Sequence, residues 1–531
     1  MWNLNSWKTR EKINYNKSVI IRYRTMGFES KFRIKKIDEE RYPYMIAENF
    51  EDMQTLFIDL LLLAVLSAVV IFPALGQNRH WSSHEIRHAE IVREMVESGD
   101  YLVPRLLGEV YHDKPPVMHA IAAGLTWITG APSMLITRLP SAVAGIIGVL
   151  AVYGIGLLFF ARRFALVAAI VLLAMPGYSI VARHARPDMI LCASILCSCL
   201  CIGLAMRERR YAWQTCYLVL GGLCAGLGVI TKGPYGILVP AFFAFFTPFR
   251  REDLTRPRFN WASFALGLLT ALAIWAVPAY LRDGGQYLHG VLTQRDLDVS
   301  MGGDEKSMLY YVFYYVLYWL IFAFPYSLLL PFTIRNLRRN GYSAPLAIAG
   351  AIFTVISCLP QKRPHYLVPL YPFFALGIAV PLVQYYRTGR LARYAMQILV
   401  PLSLIAIPLY FVAIQPFTEP YKNSQMFFAE KVFRVVEPKS QIYCLSDEEE
   451  LAWVGQRYEG IRRLNGNDPS LVCQTLQNAD AGSYLVIREK DYAALLKYAK
   501  DIPGELVLSH NADHHKKMML FRLNKRTFET P

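Results

Sequence analysis

Residues 82–95 read SSHEIRHAEIVREM and set two histidines, three glutamates and two arginines in a helical pattern. His84 and Glu85, at the start of that pattern, are an imidazole and a carboxylate, the groups that move protons near neutral pH. On a helix Glu85, Ala89, Val92 and Val96 share one face, while His84, Arg87, His88 and Arg93 spread over others. An amphipathic helix lying at a membrane surface gives the same pattern, so both readings stand on this stretch alone.

Other short stretches carry matching chemistry. YHDKPP at 111–116 sets Asp113 and Lys114 before two prolines, which hold the backbone rigid and non-helical. A fixed ammonium there suits a phosphate. A surface ion pair in a Pro-ended loop, of small energetic consequence, has the same sequence. RHARPD at 183–188 ends on Asp188 at the start of an apolar run, where the helix dipole alone favours a carboxylate. The two arginines before it, Arg183 and Arg186, can bind an anion while Asp188 handles a metal or a hydroxyl. Lys232, in TKGP, closes another run and either snorkels or reaches an anion. Lys362 and Arg363 in QKRPHY, and Arg295 in TQRDLD, are further candidate phosphate contacts. Several cations with two or three carboxylates suit an enzyme acting on a phosphate-linked substrate embedded in the membrane. A carrier of an anionic lipid needs the same residue types.

The elements that must position these groups are apolar. The 531 residues are 54% hydrophobic and 18% charged, with a mean hydropathy of +0.26. That is too many apolar runs for one soluble core. Runs near the ~18–20 residues that cross a bilayer cover Leu56–Leu75 and roughly 138–160, 163–182, 188–206, 211–231, 235–248, 260–280, 308–331, 343–359, 366–386 and 393–415. With the N-terminus inside, the short basic loops Ala161–Arg163, 207–210, 250–258, 335–340 and 387–393 all fall on the cytoplasmic side. The polar clusters then share the opposite side. The net charge of +15 is thereby a matter of topology and anionic lipid head groups, and nucleic acid is not an expected partner. The expected fold is a polytopic α-helical membrane protein of about 11–13 transmembrane helices.

Three regions follow. Residues 1–53 are a polar cytoplasmic extension, with some helix expected. Residues 54–415 form the transmembrane domain, with a large first outer loop at 76–137. Residues 416–531 alternate strand-like SQIYCL, SYLVI, GELVLS and KMMLFRL with helix-like DEEELAWVGQRY and DYAALLKYAK, which predicts a small extracytoplasmic α/β domain. No cleavable leader opens the chain, and Met45 or Met53 offers an alternative start. Seven cysteines lie in apolar runs as packing residues, whereas Cys444 and Cys473 lie in polar sequence and can pair if that region is outside the cytoplasm. The DHH at 513–515 reads as an exposed turn before it reads as a metal site.

Taken in order, these motifs resemble a family. Glu85, Arg87, Ala89-Glu90-Ile91, Arg93-Glu94-Met95 and Ser98-Gly99-Asp100-Tyr101 look like the first outer loop of the GT-C-fold polyprenyl-phosphate-sugar glycosyltransferases. Asp113-Lys114-Pro115-Pro116, Arg138-Leu139-Pro140-Ser141, Asp188 after Arg-Pro, GLGVITKGP and KRPHYLVPLYP continue the resemblance over roughly residues 55–400. It points to the bacterial aminoarabinose lipid A transferases and, more distantly, to protein mannosyltransferases. The resemblance implies a GT-C fold, a polyprenyl- (undecaprenyl-) phosphate sugar donor and an inverting transfer. The acceptor would be lipid A or another envelope glycan on the periplasmic face of a bacterial inner membrane. It assigns acidic roles to Glu85 and Asp188, with Asp113 in support, and donor-phosphate binding to Lys114, Arg186, Lys232, Arg295, Lys362 and Arg363. It leaves a divalent metal open. Where the family carries Asp, this chain carries His84. His84 then serves as base itself, or Glu85 takes over, or catalysis is weak. Protein O-glycosylation and a non-catalytic polyprenyl-lipid binder or flippase are the competing readings.

Overall fold

The computed structural model describes residues 12–15, 18–25, 28–35, 53–77, 83–208, 210–247, 260–301, 308–340, 344–359, 362–417, 424–445, 448–455, 460–464, 468–498, 504–512 and 516–524. Three antiparallel strands, β1 (Lys12–Tyr15), β2 (Ser18–Thr25) and β3 (Phe28–Lys35), pair in sequence order near the N-terminus. The described residues of this extension are strands, where some helix was expected. SVIIRYRT and FESKFRIK are rich in β-branched and aromatic residues and alternate in polarity, a strand's period.

The membrane part is helical: α1 (Met53–Ile71), α2 (Ser83–Ser98), α3 (Val117–Thr129), α4 (Met134–Phe159), α5 (Arg162–Ala174), α6 (Pro176–Ala182), α7 (Pro187–Arg207), α8 (Tyr211–Lys232), α9 (Tyr235–Phe246), α10 (Trp261–Asp283) and α11 (Gln286–Met301). α12 (Met308–Phe322), α13 (Leu330–Asn340), α14 (Ala344–Cys358), α15 (Tyr371–Gln384) and α16 (Arg390–Phe417) complete it. Among the described residues, seven helices are long and apolar enough to cross a bilayer, or up to nine if each bent pair is one span. The two bent pairs are α5–α6, at 67°, and the stretch Phe313–Phe322 with Tyr326–Asn336, at 108°. The short apolar helices α9 and α14 occupy two more of the eleven runs. α3, also short and apolar, lies within the first outer loop, as does the antiparallel pair β4 (Arg105–Leu106) and β5 (Glu109–Val110).

Local chemistry sets the breaks. Pro176 starts α6 and Pro187 starts α7, the first-turn position where the missing N–H does no harm. Gly233, at φ 89°, ends α8, and Pro234 then caps α9. α8 and α10 meet backbone to backbone. A Cβ on Gly222 would lie 2.0 Å from the Phe264 carbonyl, and one on Gly267 would lie 2.0 Å from that of Val219. Asp59, the buried carboxylate of α1, takes two 2.6 Å hydrogen bonds from Arg162 and one from Tyr153, tying α1 to α4 and α5.

The C-terminal part holds α17 (Ser424–Val435), β6 (Ile442–Cys444), α18 (Glu448–Gly455), β7 (Ile461–Arg463), α19 (Pro469–Gln477), β8 (Tyr484–Arg488), α20 (Glu489–Leu495), β9 (Gly504–Ala512) and β10 (Lys516–Leu523). Its sheet runs β7-β6-β8-β10-β9, parallel through β7, β6 and β8 and antiparallel onward. Side chains alternate across it, so Tyr443 packs with Cys473 on one face while Cys444 packs with Phe428 on the other. The pairing that the sequence left open is not made: both cysteines are free thiols on opposite faces. The DHH at 513–515 lies outside the described residues. α2 leans on this domain, with Ile86, Ala89 and Met134 packed against Met426 and Trp453.

Candidate active site

α2 carries both residues that open the site, and the structure separates their roles. Glu85 has none of its surface exposed. Arg138 of α4 donates from Nε and Nη2 to its two oxygens at 3.0 and 2.9 Å, and the Ala185 N–H adds a 2.7 Å bond. Arg138 also donates to the Leu75 carbonyl at 2.8 Å. Burial pushes the Glu85 carboxyl up. The Arg138 charge, His184, and the hydrogen bonds from Arg138 and Ala185 outweigh it and hold the group below its ordinary 4.5. Glu85 thus knots α2, the turn after α1, and the RHARPD loop together.

His84, one residue earlier, is half-buried and faces the cations. Burial first, then the charges of Arg186, Arg87, Arg363 and Lys114, lower it to about 4. It is a neutral imidazole at physiological pH. One turn further along the helix, the fully sealed His88 shares a 2.8 Å hydrogen bond between its Nδ1 and Nε2 of His119.

The start of α7 and the end of α8 bring Asp188 to Lys232, which donates to Asp188 Oδ1. Lys232 also lies over the Tyr366 ring, 4.3 Å from its centroid. His365 bridges onward: its Nδ1 lies 3.2 Å from Nη1 of Arg186, and its Nε2 lies 4.0 Å from Asp188 Oδ2. Arg186 can only donate, so the proton of neutral His365 sits on Nε2, toward Asp188. The Arg186 backbone is pinned by Ser141, whose hydroxyl donates to its carbonyl at 2.8 Å and accepts from its N–H at 3.2 Å. Lys114 lies within electrostatic reach of both His84 and Lys232. Its carbonyl accepts a 3.3 Å bond from the Tyr287 hydroxyl. Lys114, Arg186, Lys232 and Arg363 therefore share one neighbourhood with His84, Asp188 and His365, positive on balance and suited to a phosphate.

Two expected contacts fall elsewhere, and a third is not described. Lys362 turns back on α14, where its ammonium donates to the carbonyls of Ile356, Ser357 and Leu359, so it caps that helix. Arg183 serves the end of α1 through the carbonyls of Val70, Ile71 and Pro73 and stacks 3.9 Å over Phe411. Arg295 falls in α11, outside the residues whose side chains are described. Asp113 lines a side cavity with Arg87, Glu109 and Arg463. Arg138, in RLPS, and His365, in KRPHY, carry roles that residue type alone does not assign; the signals in the sequence are an Arg before Leu-Pro and a His after Arg-Pro.

Among the described residues no three His, Cys, Asp or Glu groups converge, and Asp188 is paired with Lys232 inside a field of cations.

Residues 113–277 match the profile of the family described as dolichyl-phosphate-mannose-protein mannosyltransferase. The undecaprenyl phosphate-alpha-4-amino-4-deoxy-L-arabinose arabinosyl transferase of Aeromonas salmonicida is 24% identical over 322 residues, 60% of this chain and 58% of that one. Its counterpart in Yersinia enterocolitica is 29% identical over 180 residues, 34% of this chain and 32% of that one. An Aquifex aeolicus protein is 24% identical over 60% of this chain and 62% of its own. The chain thus spans about 60% of the length of these longer-matching curated relatives. The crystal structure of ArnT from Cupriavidus metallidurans bound to undecaprenyl phosphate superposes with a TM-score of 0.68 at 18% identity, over 87% of this chain and 97% of that one. The chain is a multi-pass membrane protein with the GT-C fold, and it resembles the polyprenyl-phosphate-sugar glycosyltransferases of the ArnT type.

Proposed function

We propose that this chain transfers a sugar from a polyprenyl phosphate to lipid A or another envelope glycan, on the periplasmic face of a bacterial inner membrane. One observation carries the reading: Lys114, Arg186, Lys232 and Arg363 gather beside buried Asp188 and neutral His84. In an inverting displacement the acceptor oxygen bonds to the anomeric carbon as that carbon's bond to the phosphate oxygen breaks. The electron pair leaves with the phosphate, which gains one negative charge. Fixed cations stabilise that charge where it develops, and this is the term that accelerates the step. Asp188 holds Lys232 directly and Arg186 through His365, so its role is to aim cations. Glu85 is likewise a positioning residue.

A hydroxyl acceptor gives its proton to His84. The donor phosphate offsets the cations that weaken His84 as a base, so the base strengthens once the donor is bound. A phosphate acceptor, as on lipid A, carries no proton that must be removed, and the substitution of Asp by His at position 84 is then harmless. The profile match favours a second acceptor class, a protein hydroxyl, which glycosylated Ser or Thr in the envelope proteome would reveal.

The test uses purified protein in nanodiscs with undecaprenyl-phosphate-linked aminoarabinose. Lys232→Ala and Lys114→Ala should each weaken donor binding by roughly 10- to 150-fold, the equivalent of about 1.5–3 kcal/mol for a charge-assisted hydrogen bond. Unchanged binding and transfer in both variants overturn the assignment.

A further inference from the structure

Lys232 ends α8, and the chain turns at once into α9. Gly233, at φ 89°, and Pro234 make the turn. The Gly236 and Ile237 N–H groups then donate to the carbonyls of Gly233 and Pro234, at 3.1 and 3.0 Å. The first turn of α9 rests on α8 itself, since a Cβ on Gly236 would stand 2.4 Å from the Val229 nitrogen and 2.6 Å from the Ala225 carbonyl oxygen. Tyr235, the first residue of α9, is therefore carried on a fixed backbone three residues from Lys232.

The Tyr235 hydroxyl is buried and has no hydrogen-bond partner among the described residues. An unpaired buried hydroxyl costs free energy, so such a group calls for an explanation. Two neighbouring tyrosines sharpen the contrast. Tyr315 is fully buried, and its hydroxyl accepts a 3.3 Å bond from the Arg363 N–H. Tyr366 lies under the Lys232 ammonium, 4.3 Å from ring centroid to nitrogen. Tyr235 is within electrostatic reach of both rings.

What the hydroxyl lacks is an acceptor. Donors are plentiful in this neighbourhood, from Lys232, Arg186 and Arg363. The carboxylates of the site are taken: Asp188 accepts from Lys232, and Glu85 accepts from Arg138 and the Ala185 N–H. The oxygen that satisfies Tyr235 must then arrive with a ligand. We infer that the Tyr235 hydroxyl donates a hydrogen bond to a phosphate oxygen of the polyprenyl carrier, beside Lys232. The inference rests on the proposed transferase reading and adds to it a neutral donor, already fixed in place. Its hydrogen bond strengthens as the phosphate gains negative charge, so Tyr235 acts in binding and in transfer.

The test uses Tyr235→Phe, which removes one oxygen and keeps the ring. Because the hydroxyl has no partner in the free protein, the thermal midpoint of the ligand-free variant in nanodiscs should equal or exceed that of wild type. Binding of undecaprenyl phosphate should weaken by roughly 10- to 150-fold, the range for a hydrogen bond to a charged group. Binding of undecaprenol, the same chain without phosphate, should not change. Four results overturn the inference. They are unchanged affinity for undecaprenyl phosphate, an equal loss of affinity for undecaprenol, a lower ligand-free midpoint, and a dependence on Tyr235 seen with inorganic phosphate but not with the carrier. Lys232→Ala is titrated alongside. If it loses undecaprenyl phosphate and Tyr235→Phe does not, the hydroxyl assignment alone fails; if neither variant does, the phosphate site fails with it.

Discussion

Arg138 and Glu85 offer the sharpest test of how the site is held. Glu85 is fully buried, and three N–H groups within 3.0 Å satisfy it, two of them from Arg138. Arg138→Gln leaves that carboxylate without its countercharge and the Leu75 carbonyl without its donor. Breaking a buried pair from one side costs about 3–5 kcal/mol, and the orphaned carbonyl adds about 1 kcal/mol or more. Glu85→Gln/Arg138→Gln removes both charges, so it should regain about 2 kcal/mol or more of that loss. The assay is denaturation of the four proteins in mixed micelles, with sugar transfer measured on each. Activity should fall with stability in Arg138→Gln and recover in the double variant. Acid gives a second readout. Because the folded Glu85 carboxyl lies below its ordinary 4.5, its contribution is complete above that value and is lost as pH falls below it through the folded value. The stability gap between wild type and Glu85→Gln therefore shrinks in acid. Glu85→Gln with wild-type stability and no transfer would show that Glu85 does chemistry, and the clamp account would be refuted.

Other outcomes follow from the same geometry. His84→Asn should lower transfer to a hydroxyl acceptor by about 10²-fold or more and leave transfer to a phosphate acceptor nearly unchanged; comparing the two acceptors checks it. With His84 held near 4 against an ordinary 6.5, the unfolded chain binds the extra proton first, so its contribution to stability falls as pH drops from about 6.5 toward 4. In His84→Asn, denaturation midpoints should lose that part of the acid dependence. Lys362→Ala should cost about 0.3–1 kcal/mol through loss of the α14 cap, with donor affinity unchanged in a binding titration. Gly222→Leu should separate α8 from α10 and abolish stable expression, because its Cβ meets the Phe264 carbonyl at 2.0 Å.

Much of the membrane fold was legible because lipid forces apolar length into helices: each of the eleven runs falls on a helix or a bent pair. Bends and short helices were not, since Pro176 and the Phe324–Pro325 region look the same in a hydropathy window whether the chain crosses or turns back. In the site, the sequence named Lys114, Arg186, Asp188, Lys232 and Arg363 because each charge at a membrane boundary is costly unless used. It could not tell used for ligand from used for structure. Glu85, Arg183 and Lys362 have the same residue types as the ligand-facing groups, and only their partners reveal that they hold backbone or an ion pair. His365 shows the converse: an uncharged residue whose place between Arg186 and Asp188 arises from contacts 179 residues apart. In the N-terminal extension, charge density masked an alternating pattern that favours strands.

The central claim is that the cation cluster serves bond breaking, not lipid carriage alone. Mass spectrometry of lipid A incubated in nanodiscs with the purified chain and undecaprenyl-phosphate-linked aminoarabinose addresses it directly. Wild type should add one sugar mass to the acceptor and release an equal amount of undecaprenyl phosphate, and Lys232→Ala should do neither while remaining folded. Tight donor binding that depends on Lys232, with the sugar never leaving its carrier for lipid A or for any protein or glycan offered, would contradict the account and make the chain a lipid-binding protein on a glycosyltransferase fold.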